Sequence, residues 1–107
     1  MRSRNIAKLA LASAALATAA WSGPAAAQDY KARAWASSCF ACHGTEGRSE
    51  GEFPALAGKS KKDLLDALKE FKAGARKNAT IMHQHAKGYT DEQLERIATY
   101  FSQQSRR

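Results

Sequence analysis

The sequence predicts an all-α domain with three main helices and two long loops. In two stretches, a helix-capping residue is followed by apolar residues at helical spacing. A third stretch with helical spacing ends at the only two cysteines of the chain. No stretch alternates apolar and polar residues as a half-buried strand does, and no internal repeat is present. These three observations favour a small helical domain over a β or mixed fold.

The first predicted helix covers residues 30–40. Tyr30, Ala34 and Trp35 lie at helical spacing in a segment rich in Ala, Arg and Lys. The stretch from 44 to 58 contains four glycines and a proline and has no period, which predicts an ordered loop. A loop of this length in a small domain needs a surface to pack on.

The second and third helices have clearer boundaries. Ser60 is a predicted N-cap, and the helix after it should end before Gly74. Residues 74–89 form the second predicted loop, and Thr90 with Gln93 then forms a capping box for the last helix. The apolar faces of the two helices comprise Leu64, Leu65, Leu68 and Phe71 in one, and Leu94, Ile97, Ala98 and Phe101 in the other.

The first 27 residues differ in composition from the rest. A basic start precedes an apolar run from Leu9 to Trp21, and Ala25 to Ala27 supply small residues at the positions that a signal peptidase inspects. The run has about 13 residues, short of the roughly 20 that span a bilayer. We therefore expect a signal peptide cleaved after about Ala27, export to the periplasm, and a mature domain at 28–107 with no membrane span.

The mature domain would contain 14 basic and 10 acidic residues, a net charge of +4. The two signs are interleaved, as in residues 59–63 and 66–70, which is typical of solvated helix faces. Nucleic-acid binding is therefore not expected, although an acidic protein partner fits the mild positive charge. A domain of this size often depends on a cofactor, metal or disulfide for stability.

The pentapeptide Cys39-Phe40-Ala41-Cys42-His43 has the spacing of covalent c-type haem attachment. Two thiols three positions apart can each bond one edge of a porphyrin, and the next residue can ligate the iron. Two other readings remain open from the spacing alone: a thiol-disulfide oxidoreductase and a zinc site. Oxidoreductase motifs follow a strand, and no strand is predicted before Cys39, so haem attachment is the favoured interpretation.

A rapid haem electron carrier needs a second axial ligand besides His43. Met82 is the only methionine of the mature domain and lies in the second loop, where a thioether ligand would raise the reduction potential. His83 and His85 flank it, so a second histidine, with His85 preferred, is the alternative distal ligand. Pro54 can present a rigid backbone carbonyl to the proximal histidine or can be an ordinary turn residue.

The order of these motifs resembles small class I cytochromes c: Cys39-x-x-Cys42-His43-Gly44, then Pro54-Ala-Leu56-Ala-Gly58, then Met82, then a last helix with Tyr100-Phe101. Residues 71–92 are similar to the cytochrome subunit of flavocytochrome c sulfide dehydrogenase, although the histidines after Met82 depart from that family. The resemblance implies one covalent haem c bound through Cys39 and Cys42. It also implies His43 and Met82 as axial ligands and a Pro54 carbonyl facing His43.

The resemblance further implies an electron-transfer protein with no catalysis of its own. In that family a flavoprotein subunit that contains FAD oxidises sulfide and passes electrons to the cytochrome subunit, which hands them to a downstream redox partner. A free soluble cytochrome c shuttle without a permanent flavoprotein partner is the alternative. A thiol-disulfide oxidoreductase is a remote third possibility.

Overall fold

The computed structural model describes residues 28–106, so the predicted signal peptide at 1–27 lies outside the described residues. The helices are, in order, α1 (Tyr30–Ala36), α2 (Phe40–His43), α3 (Lys61–Ala73), α4 (Met82–Lys87) and α5 (Asp91–Ser102). Short 3-10 turns precede and follow α2, at Ser37–Cys39 and Thr45–Gly47. No strand occurs between residues 28 and 106, and the predicted all-α class is confirmed.

The helix expected over residues 30–40 is divided. It begins after Asp29, whose side chain accepts a hydrogen bond from the Ala32 amide at 3.0 Å. The α-helix ends at Ala36, and the chain then tightens into the 3-10 turn before α2. Ser37 and Ser38 donate their hydroxyls back to carbonyls three residues earlier, a local competition that favours a change of helix type.

Helix α3 has the boundaries that its sequence predicts. The Ser60 hydroxyl accepts a hydrogen bond from the Asp63 amide at 3.0 Å, and the helix ends at Gly74. Of its apolar stripe, Leu64 is buried, whereas the other three members are half-buried. The stripe therefore faces the core at one end of the helix and remains partly open along the rest.

The prediction of a loop over residues 74–89 is wrong for the second half of that segment. Six residues, Met82–Lys87, form helix α4. The helix has no side-chain cap at Ile81, so the usual sequence sign of a helix start is missing. Its formation follows from tertiary packing instead, because Ala86 is only 1% exposed and α4 packs on α3.

Helix α5 is the centre of the domain and packs on both α1 and α3. The Thr90 capping box is present, with Gln93 N donating to the Thr90 hydroxyl at 3.1 Å and Thr90 N donating to the Gln93 side chain at 2.9 Å. Its predicted apolar face is fully buried. The buried apolar residues of the domain are Ala32, Ala36, Ala57, Leu64, Ala86, Leu94, Ile97, Ala98 and Phe101.

Within residues 28–106, every helix is too short and too polar to cross a membrane.

Candidate functional site

The cysteine motif lies at the junction between the first turn and α2. Cys39 is the last residue of the 3-10 turn, Cys42 lies within α2, and His43 is its final residue. Both thiols are free, with Cys39 half-buried and Cys42 exposed. One and a half turns of backbone thus present two thiols and an imidazole, and the packing of Ala36 and Phe40 holds this backbone against the core.

The His43 side chain is buried and oriented by a backbone carbonyl. It is 8% exposed, and its Nδ1 lies 2.6 Å from the carbonyl oxygen of Pro54. A carbonyl oxygen can only accept, so Nδ1 holds the proton and donates it. The lone pair of the neutral ring is therefore on Nε2, the nitrogen left to ligate a metal. The Phe53 ring packs edge-on to the imidazole, with 6.3 Å between centroids.

The Pro54 carbonyl is itself held by the loop around it. The carbonyl of Gly47 accepts hydrogen bonds from the amides of Leu56 at 2.8 Å and Ala57 at 3.0 Å. One residue later, the amide of Gly58 donates to the carbonyl of Phe101 at 2.9 Å and ties the loop to the end of α5. Sequence reasoning identified Pro54 but missed Gly47, because a backbone acceptor leaves no signal in the sequence beyond the glycine itself.

Met82 lies on a different element from the other predicted site residues. The structure brings Cys39, Cys42, His43 and Pro54 together, whereas Met82 is the first residue of α4, whose main packing partner is α3. The Met82 side chain is half-buried. It shares a helix face with Ala86, four residues on, which is buried in the domain. The thioether is therefore on the inner side of α4.

The two neighbouring histidines differ in exposure. His83 is half-buried and His85 is exposed. Met82, like His83, is half-buried, and it lies four residues before the buried Ala86. The geometry thus favours Met82 over His85 as the distal ligand, and this assignment stays a prediction.

The thiols do not suit a redox dithiol. Burial has the largest effect and raises the pKa of the Cys39 thiol, the Ser38 hydroxyl lowers it by less, and the nearby Cys42 adds the smallest contribution, a further rise. Reactive dithiols of oxidoreductases have a lowered pKa, because the thiolate is the nucleophile. In the described part of the chain, no three His, Cys, Asp or Glu side chains come close enough to hold a metal ion. Among residues 28–106, the two cysteines have too few neighbouring ligands for a zinc site.

The donor set fits a haem c. Two free thiols lie three residues apart, the buried imidazole has Nε2 available, and a thioether lies on the inner face of α4. Such an arrangement supplies two covalent attachment points and nitrogen and sulfur donors of the kind that haem iron binds. The second-sphere hydrogen bond to Pro54 is the type that orients a ligating histidine.

Comparison with known proteins supports the same identification. Residues 27–105 match the sequence profile of the family described as Cytochrome c, which covers more than half of the chain. The chain belongs to the cytochrome c family. Its cofactor is therefore a covalently attached haem c.

Three relatives illustrate where the similarity lies. The chain is 46% identical over 70 residues to the cytochrome subunit of sulfide dehydrogenase of Chlorobaculum tepidum, covering 65% of this chain and 63% of that protein. It is 41% identical over 69 residues to cytochrome c-554(548) of Halomonas halodenitrificans, covering 62% and 83%. It is 39% identical over 94 residues to the thiosulfate dehydrogenase electron acceptor of Thiomonas intermedia, covering 86% and 42%.

The matches confirm the resemblance inferred from the motifs, both to the cytochrome c family and to the sulfide dehydrogenase subunit. They do not extend over whole relatives. The chain spans 63% of the length of the Chlorobaculum tepidum protein and 42% of the Thiomonas intermedia protein. Two of the three relatives are named for sulfur-compound dehydrogenases, which directs attention to the electron donor.

Proposed function

We propose that residues 28–107 form an exported, periplasmic monohaem cytochrome domain that accepts electrons from a sulfide-oxidising flavoprotein subunit. The domain then passes the electrons to a downstream acceptor. The observation that carries the proposal is the pairing of the Cys39 to His43 motif with 46% identity to a sulfide dehydrogenase cytochrome subunit. The signal-like composition of residues 1–27 supports export.

The chain's own residues hold and tune the cofactor. A bound haem c supplies a one-electron couple to the domain. In this proposal Cys39 and Cys42 attach the porphyrin through thioether bonds, and His43 Nε2 and the Met82 sulfur are the axial ligands. The Pro54 carbonyl, 2.6 Å from His43 Nδ1, orients the imidazole and increases its basicity. The thioether favours the reduced iron, which suits an acceptor of electrons.

An absorption spectrum of the oxidised protein tests the axial ligands. Iron bound to a thioether sulfur gives a charge-transfer band in the red region, so the native protein should have this band. Met82→Ala should lose it, and His85→Ala, which changes the exposed neighbour on the same helix, should keep it. A native protein without the band would instead favour a histidine as the distal ligand.

A free soluble shuttle is the second candidate function. It is favoured by the match to cytochrome c-554(548), of which the chain covers 83% and whose name mentions no dehydrogenase. In this case the domain would serve several redox partners and form no permanent complex.

Purification from a native extract under mild conditions distinguishes the two functions. The first predicts a complex with a protein that contains FAD, in which added sulfide reduces the haem. Added thiosulfate is the matched control, because other relatives are named as electron acceptors of thiosulfate dehydrogenase. A flavin-free monomer that sulfide does not reduce would reject the flavoprotein partner and leave the shuttle. Reduction by thiosulfate through a co-purified protein would identify a different donor.

A further inference from the structure

The hydroxyl group of Tyr89 connects two parts of the chain that are far apart in sequence. Tyr89 lies between α4 and α5, and its hydroxyl is 2.8 Å from the hydroxyl of Ser38, 51 residues earlier. Ser38 belongs to the 3-10 turn that ends at Cys39. One side-chain hydrogen bond thus joins the segment after the distal helix to the turn that precedes the haem-attachment motif.

The shorter of the two distances to the Trp35 carbonyl assigns the direction of this bond. Ser38 Oγ donates its single hydrogen to the carbonyl of Trp35 at 2.9 Å. Its oxygen then accepts the hydrogen of Tyr89, whose other acceptor, the Trp35 carbonyl, is farther away at 3.3 Å. The result is a chain from Tyr89 to Ser38 to Trp35. We call the bond between the Tyr89 and Ser38 hydroxyls the Ser38–Tyr89 clasp.

One end of the clasp is adjacent to Cys39, and the other is attached to the helix that begins with Met82. On one side, Ser38 Oγ is 4.0 Å from the sulfur of Cys39. On the other, the amide of Tyr89 donates to the carbonyl of Ala86 at 3.3 Å, which fastens Tyr89 to the end of the helix that begins with Met82.

Helix α4 needs such a restraint. It has six residues and no side-chain cap at its N-terminus, and a helix this short is not stable alone. Its position therefore depends on tertiary contacts: its packing on α3, the burial of Ala86, and the attachment of Tyr89, whose ring packs against the buried core cluster. The hydroxyl adds a directional contact to that packing.

We infer that Tyr89 is a positioning residue whose hydroxyl, through the Ser38–Tyr89 clasp, holds the Met82 segment in register with the haem-attachment turn. The inference rests on the proposed ligation of iron by Met82. The clasp resists movement of α4 away from the motif, so its loss should make the Met82 thioether easier to displace while the ring of Tyr89 and the rest of the core stay in place.

Titration of the oxidised haem protein with imidazole measures this displacement. Imidazole binds the iron only where Met82 has left it, so its apparent affinity reports how readily the thioether dissociates. Tyr89→Phe and Ser38→Ala should each tighten the apparent Kd about three-fold, within the range that a net hydrogen bond supports. The double variant should match Tyr89→Phe, because that substitution already removes the bond that Ser38→Ala removes.

Ser37→Ala is the matched control. Ser37 is the neighbour of Ser38 in the same turn and makes the same type of bond, donating to the Ala34 carbonyl at 2.6 Å, but its hydroxyl has no bond to Tyr89 among the described residues. Its apparent Kd should equal that of the native protein. Because Ser38 is exposed, Ser38→Ala should fold normally and tests the clasp even where Tyr89→Phe lowers the yield.

The outcomes separate the clasp from the ligation on which it depends. If the native protein shows the red charge-transfer band and Tyr89→Phe binds imidazole as the native protein does, the clasp is rejected and the ligation stands. Additive effects in the double variant, or an equal effect of Ser37→Ala, would also reject it. Absence of the band from the native protein would reject the ligation by Met82 and the clasp's role together.

Discussion

Substitution of Gly47 by alanine should destabilise the domain strongly, because the new methyl group would enter the core beside the haem motif. Gly47 is buried and ends the 3-10 turn after α2, with φ of +77°. A Cβ there would lie 2.7 Å and 3.0 Å from two ring carbons of Phe101, and 3.1 Å from the amide nitrogen of Ala57. The first of these separations is shorter than real Cβ contacts allow, so an atom must move.

Two costs contribute to the magnitude. Placing alanine in left-handed backbone costs about 1–2 kcal/mol, and overpacking a core adds about 1–3 kcal/mol. The Phe101 ring has little room to yield, because it is 2% exposed and contacts the rings of Phe40 and Tyr100 at centroid distances of 6.2 and 5.4 Å. We therefore expect Gly47→Ala to lower the free energy of unfolding by about 2–5 kcal/mol.

Gly74→Ala isolates the backbone cost. Gly74 ends α3 with φ of +71°, but no atom lies within 4 Å of a Cβ placed there. This variant should lose only about 1–2 kcal/mol. Guanidinium unfolding of the haem-loaded proteins, followed by far-UV circular dichroism, gives both values on one scale. Equal losses in the two variants would refute the argument, since they would mean that the Phe101 contact contributes nothing.

Two further variants test single polar groups. The pKa of Asp29 is lowered from its ordinary 3.8 to about 2, mainly by the hydrogen bond from Arg96. The ionised carboxylate therefore stabilises the fold above about pH 4. This stabilisation is lost as the pH falls toward 2. Asp29→Asn keeps an N-cap but removes the charge, so its Tm should be lower than that of the native protein at neutral pH and equal to it near pH 2. A Tm difference that stays constant with pH would contradict this cause. The Tyr100 hydroxyl is buried without a hydrogen-bond partner among the described residues, so Tyr100→Phe should leave the free energy of unfolding unchanged or raised. A loss above about 1 kcal/mol in chemical unfolding would show that this hydroxyl has a partner in solution.

The helices whose ends are marked by capping residues could be predicted from the sequence. Ser60 and Thr90 each accept a hydrogen bond from the amide three residues later, and Gly74 ends α3 in left-handed backbone. These are local interactions between residues three or four apart, so the sequence contains all the participants. The apolar face of α5 was predictable for a similar reason, because helical periodicity places its members on one side.

Helix α4 could not be predicted in the same way. Its first residues lack a capping side chain, and the segment between Ile81 and Gly88 has histidines and a glutamine at positions where a longer amphipathic helix would have apolar residues. Its stability comes from burying Ala86 against α3, a contact between distant parts of the chain. Local propensity contains no information about such a contact.

The candidate site likewise has a part that the sequence predicts and a part that only the structure shows. The order of Cys39, Cys42 and His43 identifies the proximal half, because covalent attachment requires that spacing. The hydrogen bonds that position it, from Leu56 and Ala57 to the Gly47 carbonyl, connect backbone atoms across the loop and were visible only in the structure. The Ser38–Tyr89 clasp could not be predicted for the same reason, because its two residues are 51 positions apart in the sequence.

The two halves of the site consequently differ in how they are held. On the proximal side, the carbonyl bound to His43 belongs to a loop that hydrogen bonds tie to Gly47 and to Phe101 in the centre of the core. Displacing it requires disturbing the core, so Gly47→Ala should act on global unfolding. On the distal side, α4 is held by its packing on α3, with Ala86 buried, and by the attachment at Tyr89. Loss of the clasp should therefore release the Met82 segment locally and leave global unfolding nearly unchanged. We therefore expect the Met82 segment to be displaced under milder conditions than those that unfold the domain.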